Sequence, residues 1–568
     1  MQNSFSQSNR RLAFVSLGFV LVASFLGLRL VQKQLFEHAS YRAIASAQQY
    51  ERRDINGKRG QILVKDGQGK ATYPLATNQT TYALTVVPSQ VTDKRVAAEK
   101  LAPVSGLSDD FIFEQINNTK QYIPPLKKKL TYDEAEQVRG LKLPGVAVQP
   151  EETRFYPEDT MAAQVLGFVN TDGDGQYGIE SYYDDLLSPK NGSRSETKDA
   201  AGNVVPQVGN TFDPPQDGDT VVLTIDRNVQ YQAEQALNAA VEKFSASGGS
   251  VVVMNPKTGA IVAMANRPTF DPNRYSASEP GSYLNPVVSG TYEPGSTFKP
   301  LVMAAGLDAG VVTPTTTFNG TASVKVGDRE IFNSSKTAYG VETMTQVIER
   351  SDNVGMVYVQ KQLGGQRMYD YIQRYGFGTP TGIEVSGEVS PGLTPIEQLY
   401  DVNFATMSFG QGIAVTPIQL MTAIGSFANQ GKLVSPHIVE QIQHRDGKVE
   451  TVQPKEIRQT VGPQAASQIS GMMVRVVEAG AGKPAQVPGY RVAGKTGTAQ
   501  IPDGRGGYEA NTTIGNFVGY APVEDPRFVM LVKVDRPKGV TFAEESAAPT
   551  FGAMAKFLLS YYNVPPSK

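Results

Sequence analysis

The sequence predicts an α/β multidomain chain in three parts: a transmembrane N-terminal helix, a mixed α+β segment, and a C-terminal domain with an antiparallel sheet packed between helices. Three observations lead there. Residues 12–28, "LAFVSLGFVLVASFLGL", carry no charge. Residues 51–213 hold short apolar runs broken by Gly, Pro, Asn and Asp. Beyond residue 220, helical stripes stand at both ends with strand-like runs just inside them, the pattern of helices layered on a sheet. A chain of 568 residues exceeds one ordinary domain.

The apolar run, continued by Leu30 and Val31, is close to the ~20 residues that cross a bilayer. Arg10-Arg11 also resembles the charged head of a cleaved signal peptide. The run is long for that, and the nearest Ala-x-Ala (Ala45-Ser46-Ala47) lies far downstream, so an uncleaved anchor over residues 12–31 is expected. Cations on both sides do little to orient it. Residues 31–50 read as a polar, helix-compatible stalk. "TTYALTVVP" (Thr80–Pro88) reads as a strand, and "SYRAIASAQQ" and "TYDEAEQVRGL" as helices. "GNTFDPPQDGDT" reads as a linker or surface loop. In "DRNVQYQAEQALNAAVEKF", Val229, Ala233, Leu237, Ala240 and Phe244 share one helical stripe. "SVVVMNPKTGAIVAMA" reads as a β-hairpin, "TPIQLMTAIGSFANQG" as a helix, and "NFVGYAP" and "RFVMLVKVD" as strands. Phe551, Met554, Phe557, Leu558 and Tyr561 mark a last helix.

Composition removes several kinds of chemistry. The formal net charge is −2, which offers no footprint for nucleic acid. There is no cysteine, so disulfides, thiolate catalysis and cysteine-held metals are excluded. The three histidines, His38, His437 and His444, have no evident carboxylate partnership, which argues against a Ser-His-Asp site or a histidine-rich metal site. No metal and no cofactor are expected. A base, if there is one, is a lysine or a carboxylate.

"TYEPGSTFKP" supplies such a candidate. Pro294-Gly295 reads as a turn, and Ser296 and Lys299, three apart, share a face of the helix that opens there. Ser-x-x-Lys is common, and taken alone it reads better as a capped helix start with a solvated lysine. "ERSDNVG" then places Ser351-Asp352-Asn353 55 residues after Ser296, and "VAGKTGTAQ" places Lys495-Thr496-Gly497-Thr498 another 144 residues on. A further Lys-Thr-Gly at Lys257–Gly259 precedes Ser296 and reads as hairpin chemistry. Ser-x-x-Lys, Ser-Asp-Asn and Lys-Thr-Gly in this order form the signature of serine β-lactamases and penicillin-binding proteins. In that reading Ser296 attacks a carbonyl and a neutral Lys299 takes its proton. Burial and the charge of Lys495 lower the Lys299 pKa. Ser351 relays a proton toward a leaving amine, and the Asn353 amide holds a peptide backbone. A strand carrying Lys495, Thr496 and Gly497 pairs with an extended substrate, the glycine clearing its path. Thr496 and Thr498, with Lys495, suit a terminal carboxylate. Backbone N–H groups of Ser296 and Thr498 suit an oxyanion hole.

On these motifs the chain resembles a class B penicillin-binding protein, nearly end to end. "KRGQILVKDGQG", "RFYPEDTMAAQVLGFV" and "GQYGIESYYDDLL" are similar to that family's pedestal segments, although the usual Asp-Arg pair after the first is missing. "TIDRNVQ", "PTFDPNRY" and "FGQGIAVTPIQL" are similar to its transpeptidase segments, and "NFVGYAP" departs a little from the usual strand. The resemblance implies a cytoplasmic tail (1–11), an anchor (12–31), a stalk with an elongated α+β pedestal (32–215), and a β-lactamase-like transpeptidase domain (216–568). It implies an acyl-enzyme D,D-transpeptidase on the outer face of the bacterial cytoplasmic membrane, acting on peptidoglycan stem peptides and inhibited by β-lactams. It assigns Ser296, Lys299, Ser351, Asn353, Lys495, Thr496 and Thr498 the roles above. "SDNVGMVYVQKQLGG" with "YGFGTPTGIEVSGE" leans toward the septal subtype, whose partners are a membrane-embedded glycan polymerase and other division proteins. No glycosyltransferase domain before the pedestal and no module after the last helix are expected. Two other functions compete: a D,D-carboxypeptidase or β-lactamase, which the pedestal and anchor argue against, and a non-catalytic β-lactam sensor or assembly scaffold.

Overall fold

The computed structural model describes residues 3–41, 50–67, 69, 71–118, 123–197, 211–505 and 507–567. The chain divides into two compact units, residues 1–58 with 189–217, and residues 59–188 with 218–568.

In the first unit, helix α1 (Asn3–Val31) runs on through a wider turn, Gln32–Phe36. Leu12–Phe36 is long and apolar enough to cross a membrane, with Phe14 and Phe19 each 74% exposed. Its 25 residues extend ~38 Å at 1.5 Å per residue, more than a hydrocarbon core needs. Strands Tyr50–Ile55, Gly192–Thr197 and Thr211–Asp213 form a small antiparallel sheet in that order. Part of the stretch expected as a loop therefore becomes a strand, because Thr211 and Phe212 suit an extended partner for Ser195 and Arg194. The helix expected over "SYRAIASAQQ" lies outside the described residues beyond residue 41.

In the second unit a seven-stranded sheet joins strands from distant parts of the chain. Thr220–Asp226 pairs in parallel with Ile62–Lys65 and antiparallel with Val439–Gln443. Thr72–Val86, which contains the strand expected at Thr80, continues the sheet by pairing with Val146–Phe155. The helix Tyr132–Gly140 starts at a capping box: Thr131 Oγ accepts from the Glu134 N–H, and the Glu134 carboxylate accepts from the Thr131 N–H.

The same unit holds a five-stranded antiparallel sheet. Its strands are β1 (Gly248–Met254), β2 (Ile261–Arg267), β3 (Ala493–Pro502), β4 (Tyr508–Ala521) and β5 (Phe528–Asp535), in spatial order β2-β1-β5-β4-β3. The expected hairpin is β1–β2, turned at Lys257–Gly259, where Gly259 has φ +85°. Every residue of β1 is buried, which its unbroken apolar run anticipates for a strand covered on both faces. Alternation sorts its side chains. Val251 and Val253 pack with helices α2 (Arg227–Lys243) and α8 (Ala547–Tyr561), through Leu237, Phe551 and Leu558. Val252 and Met254 face the opposite layer, with α3 (Lys299–Asp308), α6 (Pro417–Ala428) and α7 (Pro463–Glu478). Helices α4 (Met344–Arg350) and α5 (Asn353–Leu363) adjoin that layer. The fold is an antiparallel sheet between helices, as the sequence predicts.

Candidate active site

Helix α3 is buried from Lys299 through Leu307, the behaviour of a helix apolar all round. Its first residue is a lysine, so folding carries an amine into the interior. A 3₁₀ turn, Gly295–Phe298, precedes it and holds Ser296 half-buried. Gly295 sits at φ +58° and donates its N–H to the Gly410 carbonyl at 3.0 Å. Gly410, at φ +82°, has no room for a side chain: a Cβ would lie 2.1 Å from the Gly295 carbonyl oxygen.

The Ser-Asp-Asn stretch forms the turn between α4 and α5. Ser351 ends α4 with φ +59°, ψ 42°, a left-handed conformation that a non-glycine residue adopts at a cost of about 1–3 kcal/mol. Asp352 caps α5, its Oδ1 accepting from the Gly355 N–H at 2.6 Å. Asn353 donates its amide to the Phe332 carbonyl at 2.9 Å, which leaves a second N–H and Oδ1 for other partners.

These pieces converge on one hydroxyl. Lys299 Nζ donates to the Ser351 carbonyl at 2.6 Å and lies 3.1 Å from Ser351 Oγ. Lys495 Nζ, from β3, lies 3.1 Å from the same oxygen and 3.1 Å from the Thr496 carbonyl. Both lysines are fully buried. Burial pulls the Lys299 pKa well below the ordinary lysine value; the charge of Lys495 lowers it further, while Asp352 opposes. Burial brings Lys495 down to about 7, with Glu544 opposing. Both amines are thus held below the ordinary lysine value by burial, and at Lys299 the second lysine adds to that effect.

Strand β3 lies at the edge of its sheet, so one of its sides has no neighbouring strand among the described residues. Thr496 and Thr498 face a cleft with about 290 Å³ of water-accessible space, shared with Ser296 and Ser351. Gly497 faces inward: a Cβ there would lie 2.8 Å from the Pro294 carbonyl and 2.9 Å from the Asn516 amide. Its missing side chain lets β3 approach the serine turn, a different use from the substrate clearance the motif suggests. Thr498 Oγ also accepts from the Ala543 N–H at 3.0 Å, which ties the cleft wall to the loop before α8.

Several cleft residues carry no signal in the motifs. Asn333, Tyr339, Arg350, Phe542 and Glu544 all line it. Asn333 is the most connected. Its amide donates to Asp352 Oδ2 at 3.1 Å, and its Oδ1 accepts from the N–H groups of Asn353 (3.0 Å) and Val354 (3.1 Å). It lies 18 residues before Ser351 in a Ser/Thr-rich loop, and no local pattern marks it.

Two buried lysines, one opening α3 and one on β3, meeting at Ser351 beside a cleft that Ser296 lines, fit an acyl-transferring serine enzyme of the penicillin-binding type. Comparison with known proteins places the chain within that class. The penicillin binding protein transpeptidase domain matches residues 249–556, and the penicillin-binding protein dimerisation domain matches residues 54–223. Stage V sporulation protein D of Bacillus subtilis is 35% identical over 98% of this chain and 87% of its own length. Peptidoglycan D,D-transpeptidase FtsI of Escherichia coli is 32% identical over 90% of this chain and 85% of its own. The structure of penicillin binding protein 2X from Streptococcus thermophilus superposes with TM-score 0.73 at 28% identity, covering 90% of this chain and 80% of the other. The chain belongs to the class B penicillin-binding proteins, serine-type D,D-transpeptidases of peptidoglycan. The hydrolase and sensor alternatives are not favoured.

Proposed function

We propose that Ser296 is the acylated nucleophile, with Lys299 its base and Ser351 the proton relay. The observation that carries this is the sharing of Ser351 Oγ by Lys299 and Lys495, both at 3.1 Å, beside a cleft that Ser296 lines. Ser296 Oγ attacks the carbonyl of the penultimate D-Ala of a donor stem peptide, and Lys299 takes the hydroxyl proton. The C–N bond then breaks. The proton reaches the leaving D-Ala amine through Ser351 Oγ, which has lone pairs and a proton to exchange. An amine of a neighbouring stem peptide attacks the ester, a new C–N bond forms, and the proton returns to Ser296. The free edge of β3 pairs with the extended donor, Thr496, Thr498 and charged Lys495 hold its terminal carboxylate, and Asn353 holds its backbone. The N–H groups of Ser296 and Thr498 receive the oxyanion. Gly497 supports this by bringing β3 against the serine turn. Intact-mass analysis after penicillin treatment, with the adduct mapped by peptide sequencing, tests the assignment. An adduct anywhere but Ser296, or one that survives Ser296→Ala, overturns it.

We further propose residues 1–11 as a cytoplasmic tail, 12–31 as the span, 32–215 as stalk and pedestal for partner contacts, and 216–568 as the transpeptidase domain outside the membrane. The cysteine-free sequence makes the topology testable: a single cysteine at Ser4 should resist an impermeant thiol reagent in spheroplasts, and one at Ser335 should react. A septal role with a membrane-embedded glycan polymerase rests on similarity to FtsI; midcell recruitment of a fluorescent fusion tests it, and uniform lateral labelling counts against it.

A further inference from the structure

The cleft that Ser296 lines has two charged side chains in its walls, Arg350 and Glu544; its other described lining residues are neutral. The two come from separate elements. Arg350 is the last residue of α4, next to Ser351. Glu544 stands in the loop before α8, next to Ala543, whose N–H is donated to Thr498 Oγ on β3. Among the described residues they form no ion pair with each other.

Arg350 is anchored but only partly used. Its Nη1 donates to Oε2 of Glu342 at 3.3 Å, and the Glu342 side chain has no solvent exposure. Its guanidinium lies 5.2 Å from the centre of the Tyr339 ring, which also lines the cleft. A guanidinium has five N–H donors, and among the described residues only the bond to Glu342 is made, with 38% of the side chain exposed. Such anchoring removes side-chain freedom in advance, so less is lost when a ligand binds. Glu544 is half-buried, and among the described residues its carboxylate receives no hydrogen bond and joins no ion pair. Its charge reaches Lys495. An ion pair that merely supports the fold accounts for Arg350 with Glu342, but not for an unmatched anion in the same cleft. In the proposed reaction Lys495, Thr496 and Thr498 already match the donor's terminal carboxylate. One further cation and one further anion, not spent on each other, complement a ligand group that bears both charges.

We propose that Arg350 and Glu544 form a subsite for an α-ammonium carboxylate on the donor stem peptide, the free end of a diamino dicarboxylic acid side chain such as diaminopimelate. Arg350 takes its carboxylate and Glu544 its ammonium. The inference rests on the reading that the donor lies in this cleft to acylate Ser296. A lysine or ornithine side chain would satisfy Glu544 and leave Arg350 unmatched, so the subsite discriminates between stem peptides.

Penicillins with matched side chains test this on the full chain. The parent probe carries an aminopimelyl side chain, which ends in an α-amino acid. A second probe has that carboxylate as a carboxamide, and a third has the amine acetylated. Penicillin acylation involves no acceptor, so a preference seen here belongs to the donor side. Second-order acylation rates are compared as ratios within each protein. In wild type the parent probe should react at least about fivefold faster than either modified probe. Arg350→Gln should lose the preference over the carboxamide and keep the preference over the acetyl form. Glu544→Gln should do the reverse. Residues that only support the fold would slow all three probes alike, and unchanged ratios in the variants overturn the subsite. Equal rates for the three probes in wild type overturn it too. Arg350→Gln leaves buried Glu342 without its cation; if it does not fold, Glu544→Gln decides. Loss of the preference over the acetyl form alone then supports the subsite, and its retention overturns it. Adduct mapping at Ser296 judges the catalytic reading separately, because the ratios are read from total acylation.

Discussion

Lys299 and Lys495 converge on Ser351, each with its amine nitrogen 3.1 Å from the same Oγ. Two buried amines at one hydroxyl cannot both stay charged without strong repulsion. The arrangement supports the proposed division of tasks, with Lys299 as proton acceptor and Lys495 as the remaining cation.

That division predicts unequal tolerance of substitution. Lys299→Ala should slow penicillin acylation by at least ~10²-fold, the lower range for loss of a general base. Lys299→Arg should fail as well, because a guanidinium keeps its proton. Lys495→Arg should be milder and should move the alkaline limb of the acylation rate upward from about 7, since arginine holds its charge. Second-order acylation rates across pH for the three variants, each confirmed folded, are the measurement. A near wild-type rate for Lys299→Arg would place the base elsewhere.

The buried lysine should also be a stability liability with a definite pH sign. Its folded pKa is lowered, so between that value and the ordinary ~10.5 the unfolded chain binds more protons, and stability rises with pH. Lys299→Met removes this term. Its thermal midpoint minus wild type should grow more positive as pH falls from 10.5 toward neutrality. A difference that shrinks on acidification contradicts a neutral resting amine.

At Ser351 conformation and chemistry are separable. Ser351→Gly relieves the left-handed φ, worth roughly 1 kcal/mol, but removes the relay hydroxyl. Ser351→Ala removes the hydroxyl and keeps the strain. The glycine variant should melt at or above the alanine variant, while both turn over donor peptide far more slowly than wild type. Equal turnover by wild type and either variant would dismiss the relay.

Asn333 offers the test of a residue outside the motifs. Asn333→Ala leaves one carboxylate oxygen and two N–H groups short of a partner, an expected loss of about 1–3 kcal/mol. Acylation should slow with it, because the Ser351 turn hangs on those bonds. Denaturant unfolding and acylation should move together, and a stable but slow variant would indicate direct contact with the ligand.

Gly410→Ala should abolish penicillin labelling more readily than it unfolds the protein. The new Cβ would lie 2.1 Å from the Gly295 carbonyl, inside the serine turn. Labelling by fluorescent penicillin beside far-ultraviolet circular dichroism separates the two effects.

Much of this protein is local, and the sequence alone determines it. The unbroken apolar run marks a helix long and apolar enough to cross a membrane, the stripe from Val229 to Phe244 marks α2, and the β1–β2 hairpin is written in its turn and its apolar strands. The order of the three motifs singles out Ser296, Lys299, Ser351 and Lys495 as candidates because the spacing of reactive groups is a property of the chain. What tertiary structure decides is non-local. The left-handed Ser351, the inward-facing Gly497 and the brace of Asn333 arise where separate elements close on one another. Thr211–Asp213 likewise becomes a strand only because Gly192–Thr197 lies beside it. Hydrogen-bond partners and burial depend on neighbours in space, so no reading along the chain fixes which polar side chain outside the motifs will be enclosed.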